Sequence, residues 1–169
     1  EWGDDPAGAH AEIPATPMGQ GTPVTITSKD PYRRWEQANV IRGAGNGTVS
    51  AYAWSRLGDV TAQQFRGLAA ITREFGADVR LTNRQNLVFR GLSEDQLPAL
   101  YARLESLEMA EPGAELSRDV VACPGADTCN IAVTQSRGLA AAIGDALEAA
   151  GLAEIGGIEL LLADLEDAL

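Results

Sequence analysis

Asp78-Val79-Arg80-Leu81-Thr82-Asn83-Arg84-Gln85-Asn86-Leu87-Val88-Phe89-Arg90 reads as two strands joined by a tight connection. Only Asn83-Arg84-Gln85 separates the two apolar runs, so a hairpin is expected, ending at Gly91. A helical pattern flanks it on each side. Upstream, Thr61 to Phe75 sets Phe65, Leu68, Ile71, Thr72 and Phe75 along one stripe. Thr61 and Gln64 form a capping box for that helix, and Gly76 supplies its stop. Downstream, Ser93 to Leu107 is a second helix with Leu97, Leu100, Tyr101, Leu104 and Leu107 on its buried face. Ser93 or Asp95 caps it, and Pro98 falls in or near its first turn, where a missing N–H is best tolerated.

Further upstream, Thr48 to Trp54 alternates Val49, Ala51 and Ala53 against Ser50, Tyr52 and Trp54, a strand period. Residues 48–108 therefore read β-α-β-β-α. That order predicts an α+β fold, a ferredoxin-like half-domain (split βαβ), with its last strand supplied by Asp119 to Ala122. Trp35, Trp54 and Phe65 are expected in its core. Residues 31–46 are expected to form a short helix or turn leading to Asn39-Val40-Ile41-Arg42. Gly43-Ala44-Gly45-Asn46-Gly47 is a flexible turn, and no helix follows it to make a phosphate loop. Residues 1 to about 30, punctuated by Pro6, Pro14, Pro17 and Pro23, read as an extended arm that carries the single histidine, His10.

The bulk numbers narrow the function. The net charge is −11, from 13 basic and 24 acidic residues. That argues against nucleic acid or anionic membrane as partners, because both require basic surface. No apolar run approaches the roughly 18 residues of a membrane-spanning helix, and nothing at the start reads as a signal peptide. Two cysteines in 169 residues do not make a disulfide framework, so a cytoplasmic location is expected. The chain begins at Glu1 without an initiator Met, so a processed, trimmed or partial chain is expected.

Both cysteines lie in Asp119-Val120-Val121-Ala122-Cys123-Pro124-Gly125-Ala126-Asp127-Thr128-Cys129. An apolar strand-like run delivers Cys123, and a Pro-Gly turn follows. A helix is expected to start at or near Cys129 and to run to about Ala150, striped by Leu139, Ile143 and Leu147. A helix N-terminus favours the thiolate. The pair suits a soft metal or an iron–sulfur cluster but makes only half of a four-ligand site. Two free buried thiols or a reversible disulfide are the alternatives. Gly157 to Leu162 reads as one further strand.

Val79 to Arg90, Val120 to Cys129 and Ser136-Arg137-Gly138-Leu139-Ala140 resemble the siroheme-dependent nitrite and sulfite reductases, over about residues 35 to 157. The resemblance implies three parts: an arm and linker at 1–46, a ferredoxin-like half-domain at 47–117, and part of a [4Fe-4S]/siroheme-binding domain at 118–169. It implies Cys123 and Cys129 as metal ligands, the first of two cysteine pairs. The second pair, a Cys-x-x-x-Cys, has no counterpart, since its positions fall near Leu165 and Leu169. It implies siroheme contacts for Arg80, Arg84 and Gln85, because guanidinium groups match the carboxylates of that cofactor. The implied activity is six-electron reduction of nitrite to ammonia or sulfite to sulfide. The implied partners are an electron donor such as ferredoxin and the remaining half of the same protein. The chain alone is expected to be inactive. Two alternatives are a tetrapyrrole monooxygenase similar to precorrin-3B synthase and a non-enzymatic ferredoxin-fold binding module.

Overall fold

The computed structural model describes residues 26–43, 47–156 and 161–162. Helix α1 (Pro31–Asn39) opens the described chain, with Pro31 in its first turn and the Asp30 carboxylate accepting from the Arg33 amide. Strand β1 (Val40–Arg42) follows directly. Strand β2 (Val49–Ala53) alternates as the sequence predicts, with Val49, Ala51 and Ala53 inward. A 3-10 turn (Arg56–Gly58) leads to α2 (Ala62–Phe75). Both halves of the Thr61/Gln64 capping box form, and Gly76 ends the helix in the left-handed region at φ 62°.

Strands β3 (Asp78–Leu81) and β4 (Leu87–Leu92) form the expected hairpin. The β3–β4 pairing ends at Arg90, just before Gly91 as expected, but β4 itself runs on to Leu92 along β2. Val49 pairs with Leu92 while Ala51 pairs with Phe89, so β4 carries one extra residue. Gly91, at φ 75°, absorbs that bulge. The extra residue changes the phase, so Leu87, Phe89 and Leu92 all face the core. A 3-10 turn (Glu94–Gln96), boxed by Ser93 and Gln96, then enters α3 (Leu97–Glu105).

The sheet order is β1-β2-β4-β3, and each pairing is antiparallel. This corrects the expected last strand. The position beside β2 goes to β1, and Asp119 to Ala122 stays outside this sheet. The helix and strand at residues 31–42 thus pack on this sheet, β1 against β2 and Trp35 into the core. Trp35 on α1 is fully buried with Leu68 and Ile71 of α2, Phe89 of β4 and Leu97, Leu100 and Leu104 of α3. Burying side chains of this size stabilises the fold by about 1.5–3 kcal/mol each. Trp54 is buried as expected, whereas Phe65 is half exposed and lies off the core stripe.

The chain after α3 builds a second, smaller cluster. Strand β5 (Val121–Ala122) pairs in parallel with β6 (Leu161–Leu162). Helix α4 (Ser136–Ala149) begins seven residues after Cys129, not at it, because a 3-10 turn (Gly125–Asp127) and a loop intervene. Val120, Ala122 and Ala140 form the buried centre, with Leu57, Ile143 and Leu147 packed against it. Leu139 is exposed, so the inward face of α4 runs through Ser136 and Ala140 instead. Among the described residues, no helix is long and apolar enough to cross a membrane. His10, most of the arm, Leu165 and Leu169 lie outside the described residues.

Candidate functional site

The hairpin between β3 and β4 meets the start of the cysteine segment through three consecutive residues. Arg84 is almost fully buried, and its Nη2 donates to the carbonyl oxygen of Asp119 at 3.0 Å. Its Nε lies 3.5 Å from the Asp119 carboxylate, and its Nη1 donates to Glu115 at 3.4 Å. Gln85 Nε2 donates to the carbonyl oxygen of Ala122 at 3.0 Å. Asn86 Nδ2 donates to Asp119 Oδ2 at 2.8 Å, while Asn86 Oδ1 accepts from the Ser55 amide at 2.9 Å. The tip of the half-domain therefore grips the backbone at Asp119 and at Ala122, the stretch that leads into Cys123.

Asp119 is the centre of this contact. Its Oδ1 accepts from Trp54 Nε1 at 3.0 Å, and its Oδ2 also accepts from the Glu115 amide at 3.1 Å. Burial raises the Asp119 pKa above its usual value, opposed by the bonds from Glu115, Trp54 and Asn86 and by the charge of Arg84. Burial likewise pushes the Tyr52 phenol up, helped by the negative charges of Glu115 and Asp119. The ring of Trp54 carries the Arg118 guanidinium 4.5 Å above it and has Gly113 against its face.

Cys123 is half-buried and lies beside the first turn of α4. Ser136 Oγ donates to the Cys123 carbonyl oxygen at 2.9 Å and sits 3.3 Å from Cys123 Sγ. The helix end expected at the second thiol is thus placed beside the first. Gly125, at φ 57°, lets the loop close on this helix: a Cβ there would fall 2.4 Å from Ser136 Oγ and 2.6 Å from the Thr134 carbonyl oxygen. The Ala126 amide donates to that same Thr134 oxygen, and the Cys129 amide to Gly125 O at 3.0 Å. Cys129 is also half-buried, and the two cysteines are not joined by a disulfide.

The arginines do not converge. Arg80 is exposed on β3 and pairs with Asp78 at 3.0 Å. Arg90 approaches the same Asp78 at 3.7 Å. Of the three expected siroheme contacts, Arg84 and Gln85 reach the cysteine segment and Arg80 does not. Three residues with no role expected from sequence complete the site: Asn86, Asp119 and Ser136. A signal for the first two existed. Asn86 and Asp119 each head an apolar strand run, where a polar side chain is buried and must find partners.

The fold and the hairpin contact define a ferredoxin-like half-domain carrying a cysteine-bearing extension. Residues 42–107 match the family model described as the nitrite/sulfite reductase ferredoxin-like half domain. A 94-residue stretch is 34% identical to the ferredoxin–nitrite reductase of Synechococcus elongatus, covering 55% of this chain and 18% of that protein. The solved structure of the Mycobacterium tuberculosis NirA protein matches with a TM-score of 0.61 at 22% identity, over 75% of this chain and 24% of that one. The chain thus spans about a fifth of the curated relative it matches. Residues 42–107 are thus similar to the nitrite/sulfite reductase ferredoxin-like half domain.

Proposed function

We propose that this chain contributes to a nitrite/sulfite reductase, which reduces nitrite to ammonia or sulfite to sulfide by six electrons. The observation that carries this reading is the grip of the hairpin tip on the stretch that leads into Cys123. It joins the family's half-domain to the first cysteine pair that the sequence resemblance implies. Cys123 and Cys129 are the proposed ligands to a [4Fe-4S] cluster. In such enzymes siroheme and the cluster supply electron relay and an iron that binds the anion.

The described residues do not complete either cofactor site. Two thiols are half of the four a cubane cluster needs. Among the described residues, no group of three or more His, Cys, Asp or Glu side chains is placed to hold a metal ion. Arg84 and Gln85 are turned toward partners within the chain, and Arg80 pairs with Asp78. No chemical step is therefore assigned to this chain alone. Its own residues hold the cysteine segment in place. An acidic electron donor such as ferredoxin would be repelled by the net charge of −11, so the proposed docking surface lies on the rest of the protein.

Anaerobic reconstitution with iron and sulfide tests the reading. The chain alone should hold well under the four irons of a cubane cluster. A fusion adding a Cys-x-x-x-Cys segment after Leu169 should bind about four. Cys123→Ser or Cys129→Ser should abolish that gain. A folded fusion without iron would contradict the proposal.

A further inference from the structure

Gln85 occupies an unfavourable position in three respects. Its backbone lies in the left-handed region, at φ 63°, where a residue with a side chain is strained. Its Oε1 is buried and has no hydrogen-bond partner among the described residues. Its side chain also needs a glycine opposite. A Cβ on Gly58, itself at φ 72°, would fall 2.9 Å from Gln85 Cβ and 3.0 Å from Oε1. The visible return is one hydrogen bond, from Nε2 to the Ala122 carbonyl oxygen at 3.0 Å. Because that oxygen can only accept, the amide nitrogen must be the atom that faces it.

Ala122 immediately precedes Cys123. The next carbonyl oxygen, that of Cys123 itself, is held by Ser136 Oγ at 2.9 Å. The two peptide oxygens that flank the Cys123 Cα are thus fixed from opposite elements, the hairpin tip and the first turn of α4. Fixing both peptide planes sets the backbone dihedrals of Cys123 and hence the direction of its Cα–Cβ bond. We propose that Gln85 is a positioning residue: its side-chain amide holds the peptide before Cys123 so that the thiol is presented in one orientation. As a statement about ligand placement, this rests on the cluster role proposed for Cys123. Gln85 then acts within the chain on the cysteine strand, not through contact with siroheme.

Native-state alkylation of the intact 169-residue chain by iodoacetamide, read by mass spectrometry at each cysteine, tests the proposal without any cofactor. Gln85→Gly relieves the left-handed backbone and deletes the amide. It should alkylate Cys123 at least about threefold faster while Cys129 keeps its wild-type rate. The melting temperature should stay unchanged or rise, because glycine suits this backbone. Gln85→Asn, whose amide is one methylene shorter and which tolerates φ > 0, should fall between the two. If Gln85→Gly fails to fold, Gln85→Met removes the donor at similar size and should show the same selective acceleration. An unchanged Cys123 rate, or equal acceleration at both cysteines, would overturn the proposal. Selective acceleration together with a failed reconstitution of the fused chain would defeat the reductase reading and leave the positioning role standing.

Discussion

The side-chain amide of Asn86 donates to the carboxylate of Asp119 at 2.8 Å, and both residues are almost fully buried. This bond ties the start of β4 to the segment that delivers Cys123. The half-domain and the cysteine strand are therefore joined by a polar contact placed between two apolar clusters. Such a contact holds its geometry because each buried group would be costly without its partner.

Asp119→Asn should destabilise the chain even though it removes a buried charge. The carboxylate accepts from Trp54 on one oxygen and from Asn86 and the Glu115 amide on the other. An amide presents a donor to one of those sides in either orientation. The expected loss is about 1–3 kcal/mol in urea denaturation, the cost of a buried donor left facing a donor.

Gly125→Ala should loosen the cysteine loop. The substitution meets a left-handed backbone and a Cβ position 2.6 Å from the Thr134 carbonyl oxygen. Strain and overpacking together should cost about 2–4 kcal/mol. Hydrogen exchange should show the Ala126 amide, which donates to Thr134 O at 2.8 Å, losing its protection first.

Acid should weaken the junction between α1 and β1. Burial raises the pKa of Glu36, but hydrogen bonds from Arg33 and Arg42 outweigh it and hold the carboxyl below its usual 4.5. The folded chain binds this proton less tightly than the unfolded chain. The stability from Glu36 is thus present above pH 4.5 and is lost as pH falls through the lowered folded value. Glu36→Gln should cost about 1 kcal/mol or less near neutral pH, with the difference from wild type shrinking in acid. A difference that grows in acid would contradict the sign.

Much of the half-domain was legible in the sequence because its signals are local. The Thr61/Gln64 box, the Leu97–Leu100–Leu104 face and the tight Asn83-Arg84-Gln85 connection each lie within one element or one turn. The missed features depend on distant partners. Three residues of β1 take the sheet edge expected for Asp119 to Ala122, and nothing in so short a run announces that pairing. Phe65 and Leu139 fit helical stripes by spacing, yet tertiary packing turns the inward faces of α2 and α4 elsewhere. Arg84 was expected at siroheme, and the hairpin sequence by itself does not say which acceptor its guanidinium meets. Its partners lie 31 and 35 residues further along, so only the folded chain shows what it touches.

A double-mutant cycle on Asn86 and Asp119 tests the central claim most directly, that the hairpin tip and the cysteine strand form one coupled unit. Asn86→Ala, Asp119→Ala and the double variant would be compared by urea denaturation. The expected coupling energy is about 1–3 kcal/mol, with the double variant less destabilised than the two single losses added together. Simple additivity, a coupling within about 0.3 kcal/mol of zero, would contradict the account.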